Sequence, residues 1–146
     1  MLRDVREKPQ VALRVAIGLS LLYHSAPWVF TSGGHANFVH MLQAVGLPLP
    51  ELSAWAVAIL EVTGGAALVI GLWVPVMAAL VGLEILIRVS FISLKGAGFP
   101  QPLPGSPGLP DLETNLLWVG GLIALVIAGA GWYSVDWKQL TKTGAA

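Results

Sequence analysis

The chain has 146 residues, 55% hydrophobic and only 11% charged, with no cysteine and a formal net charge of zero. Soluble domains carry about a quarter charged residues, so this deficit, with a mean hydropathy of +0.76, points to one small domain built for lipid. The missing cysteine excludes disulfides, thiol nucleophiles and thiolate metal sites, and the balanced charge offers no field for nucleic acid.

Arg3, Arg6, Lys8 and Arg14 precede or open an apolar run over about 11–30. A basic start before such a run imitates a signal peptide, but the run is long and its best small-residue site, "HSAP", ends in proline. It is therefore expected to be retained as a first membrane span. Residues 31–51 contain "HANFVHMLQAVG", which suits a short amphipathic helix lying on the surface. Further apolar runs follow at about 52–72 and 74–94, each near the ~20 residues needed to cross the hydrocarbon core. "GLWVP" between them is a tight turn, so the pair forms an antiparallel hairpin. The stretch "GAGFPQPLPGSPGLP" holds five of the ten prolines and should be an extended loop. A last apolar run covers about 114–134, and Lys138 and Lys142 follow it.

Lipid leaves no backbone group unpaired, so the spans must be helices. The expected fold is all-α: a membrane-spanning four-helix bundle with both termini cytoplasmic, a single domain over 1–146. The orientation follows from six basic residues at the ends against Lys95 alone in the outer loops, 31–51 and 95–113. Trp28, Trp55 and Trp118 then fall near the outer boundary and Trp73, Trp132 and Trp137 near the inner one, as an aromatic belt. Small-residue stripes mark the faces expected to pack: Ala12, Ala16 and Ser20; Ala54, Ala58, Gly64 and Gly65; Ala78 and Gly82; Gly120, Ala124 and Ala128.

Against this background the charges inside the spans stand out. "GLEILIRVSF" places Glu84 and Arg88 one helical turn apart, and Glu61 lies on the small-residue face of the preceding span. Counting 1.5 Å per residue puts Glu61 and Glu84 roughly 15 Å from their respective surfaces, near the midplane. Arg88 is one turn closer to the outside, and His24 reaches about that depth from the first span. An isolated ionisable group there costs roughly 2.5–3.5 kcal/mol on insertion scales. Glu84 and Arg88 satisfy each other at i,i+4, but that leaves Glu61 in need of Arg88, His24 or Tyr23. Arg88 bridging Glu61 and Glu84 is the arrangement expected. Glu113, seven residues before Gly120, is the candidate for the outer mouth, whereas Asn115 falls away from that stripe.

The remaining chemistry is sparse. None of the three histidines lies on the last three spans, which disfavours a haem clamped between helices. His35 and His40, with Glu51 and Glu113, lie at loop positions where histidines are more often solvated than metal-bound, so no metal is expected.

The order of these pieces resembles the DoxX family of four-span membrane proteins, from about Arg14 to Asp136. The residues carrying the resemblance are "GLPLP", "EVTGGAALVIGLWVP" with Glu61, Gly64 and Gly65, and the closing "GAGWYSVDW" with Gly129, Gly131, Ser134 and Asp136. The resemblance implies a membrane subunit of a respiratory or redox complex. Some relatives are similar to the membrane subunits of thiosulfate:quinone oxidoreductase, in a prokaryotic cytoplasmic membrane. Quinone is the ligand implied, with other redox-complex subunits as partners, and His24, Glu61, Glu84 and Arg88 are the residues to hold it. An accessory subunit with a purely structural cluster remains open beside that reading. The topology is testable at once: reporter fusions at residues 40 and 105 should report the outside and a fusion at the C-terminus the cytoplasm. A cytoplasmic signal at 105 contradicts four spans.

Overall fold

The computed structural model describes the backbone of residues 2–95, 110–131 and 134–136, and their side chains from Pro9 onward except 93–95. Among the described residues the chain is all helical: α1 (Leu2–Phe30), α2 (Ser32–Ala44), α3 (Pro50–Ile70), α4 (Val74–Lys95) and α5 (Leu112–Ala128). Two of these, Pro50–Ile70 and Val74–Ile92, are long and apolar enough to cross a membrane; α5 is apolar but shorter. The proline-rich stretch 96–109, Trp132, Trp137, Lys138 and Lys142 lie outside the described residues.

Local chemistry sets the helix limits. Thr31 ends the first helix and starts the second: its hydroxyl accepts from Gly34 N–H at 3.0 Å and donates to the Pro27 carbonyl at 2.8 Å. Pro50 opens α3 with Glu51 in the first turn, a placement that suits the fixed φ of proline and the helix dipole. Asp111 caps α5 by accepting from Thr114 N–H at 2.8 Å, and hydrogen bonding from the Thr114 side chain, together with that N–H, holds its carboxyl below the ordinary range. The last helix stops at Ala128, short of the expected 134, where the chain turns at Gly129 with φ of 76°.

α1 packs along α3, and α4 along α5, with α2 folded over the end of the bundle. Two apolar clusters result. One joins Ile17, Leu21, Leu68, Val81, Ile85, Trp118 and Leu122. The other joins Trp28, Phe38, Met41, Leu42, Ala54, Ala58 and Ile92, with Trp28 stacked on Phe38 at 3.9 Å between ring centres. α2 therefore forms where its amphipathic pattern indicated, but it does not merely lie on the surface. Asn37, Phe38, Met41 and Leu42 are buried beneath it.

The structure corrects several expected faces. On α3 the stripe is right, with Ala54, Ala58, Glu61, Gly64 and Gly65 all buried, and Ala78 and Gly82 of α4 are buried too. On α1, Ala12 and Ala16 are exposed, and Ile17, Gly18, Leu21 and Ser25 face inward instead. On α5, Gly120 and Ala128 are exposed while Asn115, Trp118, Leu122 and Leu125 are buried. Large residues such as Ile17, Leu21, Trp118 and Leu122 fill the space between neighbours, and the small residues of the expected stripes are left mostly outside. Trp28 and Trp118 likewise belong to the core, while Trp55 and Trp73 are the exposed indoles among the described residues.

The backbones of α1 and α3 approach closely at a pair of glycines. A side chain at Gly18 would come within 2.7 Å of the Gly65 carbonyl oxygen, and one at Gly65 within 3.0 Å of the Gly18 carbonyl oxygen. At Gly120 nothing stands within 4 Å. Gly18→Val should therefore destabilise the purified protein by about 1–3 kcal/mol through overpacking. Gly120→Ala should stay within about 0.5 kcal/mol. Denaturant unfolding in detergent distinguishes the two.

Candidate functional site

The α3–α4 hairpin carries the cluster. α3 closes at Gly71, whose φ of 76° is left-handed, and α4 starts at Val74. So short a turn makes the helices antiparallel neighbours and brings residue 61 alongside residue 88. Arg88 bridges both carboxylates, as expected. Its Nη2 donates to Glu61 Oε1 at 2.6 Å, while Nε donates to Glu84 Oε1 at 2.9 Å and Nη2 also reaches Glu84 Oε2 at 3.5 Å. Glu61 is 0% exposed, Arg88 3% and Glu84 10%.

Each ion taken from water costs several kcal/mol, and short charge-assisted bonds offset that cost only when the geometry is good. Two carboxyl groups share one guanidinium here, and the sharing is incomplete. Arg88 Nη1 and Glu61 Oε2 are buried with no hydrogen-bond partner among the described residues. By position in α3 and α4 the three residues sit between the two apolar clusters, Ala58 and Ile92 on one side and Leu68 and Ile85 on the other.

A groove of about 370 Å³ opens beside the cluster between α3 and α4, reaching Leu42 and Leu47 at the α2 end. Its walls are almost entirely apolar, with Val57, Leu60, Leu83 and Ile87 among them, and Glu84 and Arg88 are its charged members. Leu83 and Ile87 are exposed, so the groove opens sideways from the bundle.

The other expected site residues come from α1 and α5. The hydrogen bonds of Arg88 go to Glu61 and Glu84, whereas the His24 ring packs edge-on against Trp28 at 5.1 Å and Trp118 at 5.8 Å. Glu113 is exposed in the first turn of α5, where its charge complements the helix dipole. Asn115 is the buried residue of that turn, its Nδ2 donating to the Pro110 carbonyl at 2.8 Å and the Asp111 carbonyl at 2.9 Å. The helical-wheel reading had these two reversed because it took the Gly120 stripe as the inner face.

A second groove, about 480 Å³, includes His35, His40, Glu51 and Trp55. His35 Nε2 lies 3.2 Å from Glu51 Oε1 and Nδ1 lies 3.2 Å from the Trp28 carbonyl oxygen, with the ring stacked on Trp55. Among the described residues no three metal-binding side chains converge.

Sequence reasoning missed two charged residues. Arg14, read only as a topology signal, is 2% exposed. Asp136, noted within a motif but given no role, accepts from Trp73 N–H at 2.7 Å and Val74 N–H at 3.0 Å. The signal for Arg14 was its place one turn before Gly18, on the face that also carries Ile17 and Leu21.

These features define a class: a helical bundle with two membrane-capable helices and an ion cluster buried between them. The DoxX family model matches residues 10–93, more than half of the chain. The chain belongs to the DoxX family of membrane proteins. No curated protein and no solved structure matches it. The matched stretch contains the whole ion cluster and stops before α5 and the closing Gly129-to-Asp136 segment.

The cluster makes a graded prediction. Arg88→Met alone strands two carboxyls and should cost about 3–5 kcal/mol. Adding Glu84→Leu should recover only part of this, because Glu61 stays buried without its partner. The triple change with Glu61→Gln should come within about 1–2 kcal/mol of the parent. Unfolding midpoints of the three variants in detergent check the order.

Proposed function

We propose that this chain is a four-span membrane subunit, both termini cytoplasmic, whose α3/α4 groove receives the head of a quinone-class ligand. The observation that carries the reading is Arg88. It is buried and doubly held, it lines an otherwise apolar groove, and its Nη1 is without a partner among the described residues. A neutral carbonyl head suits that donor. An anionic head meets two carboxyl groups for one guanidinium, and a long apolar tail suits the groove walls.

When bound, a quinone supplies two-electron, two-proton chemistry. The chain's own part is to hold and orient it. Arg88 donates to a carbonyl oxygen, Glu84 and Glu61 fix the plane of the guanidinium, and Glu61 is a buried carboxyl able to hold or pass a proton. The open side of the groove admits the ligand from lipid rather than from water. On this reading electrons arrive from a partner redox subunit in a prokaryotic cytoplasmic membrane. The activity would be part of a quinone-linked oxidoreductase of the thiosulfate type that the family resemblance implies.

A second reading has one observation in its favour: Arg88 already satisfies an oxygen of each carboxyl group. An accessory subunit at the edge of an energy-converting complex, with no catalytic role, needs nothing more. Titrating the purified protein with decyl-ubiquinone decides between them. Saturable tryptophan quenching that weakens at least about tenfold in Arg88→Lys is expected from a bidentate site. No saturable binding by the parent protein leaves the structural reading.

A further inference from the structure

The segment after α5 returns to the opposite end of the α3–α4 hairpin. Asp136 accepts from Trp73 N–H and Val74 N–H with its two carboxylate oxygens, and its own N–H donates to the Gly71 carbonyl at 3.1 Å. The first amides of α4 are thus capped from 62 and 63 residues away. Helix starts are ordinarily capped by a neighbouring side chain.

The turn it grips is strained. Trp73 has φ of 48°, in the left-handed region that glycine adopts freely and a bulky side chain rarely does. Such a conformation persists only where surrounding bonds over-determine it. Below the turn, Arg14 of α1 is buried with its guanidinium against Gly71, where any side chain would collide with it and with Ser134. Four segments therefore meet at one junction: α1, the end of α3, the start of α4 and the C-terminal segment.

α4 is one continuous helix from this junction to the cluster, so a shift at Val74 is carried about 21 Å along the axis to Arg88. The 2.6 Å bond from Arg88 to Glu61 tolerates little such movement. We propose that Asp136 is a positioning residue for the α3/α4 groove. It holds Trp73 in its left-handed conformation and so fixes the register in which α4 presents Arg88 to Glu61. The ligand-binding consequence rests on the quinone reading above; the register consequence does not.

The test uses the full chain in lipid nanodiscs with Asp136→Asn, Trp73→Gly and the double variant. Asparagine keeps the shape but turns one acceptor into a donor facing an N–H. In Asp136→Asn, the Trp73 and Val74 amides should exchange with solvent about tenfold faster. The ¹⁵N-arginine Nε–H resonance of Arg88, assigned by its loss in Arg88→Lys, should move or broaden. Trp73→Gly lets the turn adopt its conformation without the grip, so the double variant should restore that resonance. A merely local stabilising role would speed amide exchange and leave the Arg88 signal in place, which overturns the proposal. So does unchanged exchange in Asp136→Asn, or an Arg88 signal that the double variant fails to restore. Decyl-ubiquinone affinity, if the parent protein binds it, should follow the Arg88 signal across the series. Absence of binding by the parent protein sinks the quinone reading while the resonance still decides the register.

Discussion

Everything in this bundle is arranged around a guanidinium that must not be alone. Arg88 lies in a helix whose neighbours are leucine, isoleucine and valine, so nothing in its own turn except Glu84 can answer its charge. The second carboxyl comes from another helix, and an ion bond of 2.6 Å between helices permits little latitude in their register. The short α3–α4 turn, the small residues on the buried face of α3 and the distant cap on α4 can all be read as conditions for that meeting. Apolar packing alone is far more forgiving, because one leucine slides past another at modest cost.

The cluster also divides the interior. Away from the α3–α4 turn, α2 folds aromatic and aliphatic side chains over Trp28 and Ala58. Toward the turn, α1, α4 and α5 pack large residues around Leu68 and Leu122. Between them the polar layer is open on one side, where the groove meets Glu84 and Arg88. Buried charge beside an apolar groove open to the surroundings is a poor design for stability and a serviceable one for recognising an amphipathic molecule.

The close approach of Gly18 and Gly65 has a separate role. It lets α1 lie directly against α3, which leaves large residues elsewhere on α1 free to fill the spaces toward α5, such as Ile17 against Gly121. The Trp118 indole donates to the Ser20 hydroxyl at 3.1 Å across that same seam. Small residues are thus of two kinds here: those that permit contact, such as Gly18, Gly65 and Gly121, and those on outer faces, such as Ala12, Ala16, Gly120 and Ala128.

Much was legible from the amino acids alone, because solvent preference and helix length depend on local composition. The all-helical class, the hairpin at "GLWVP" and the bridging of Glu61 and Glu84 by Arg88 follow from hydropathy, spacing and the cost of a lone buried charge, while the family is read from the resemblance of its motifs. What composition does not encode is which side of a helix finds a neighbour. In a chain this apolar, both faces of α1 and α5 carry residues suited to burial, so the stripe rule chose wrongly on both and misplaced Asn115 and Glu113. Arg14 and Asp136 acquire their places only when the chain's far ends converge on Gly71. The sequence by itself determined the composition of each helix and the need for charge pairing; the tertiary structure alone decided the facing of α1 and α5 and the Asp136 cap, because contacts across sixty residues are set by packing geometry and not by local propensity.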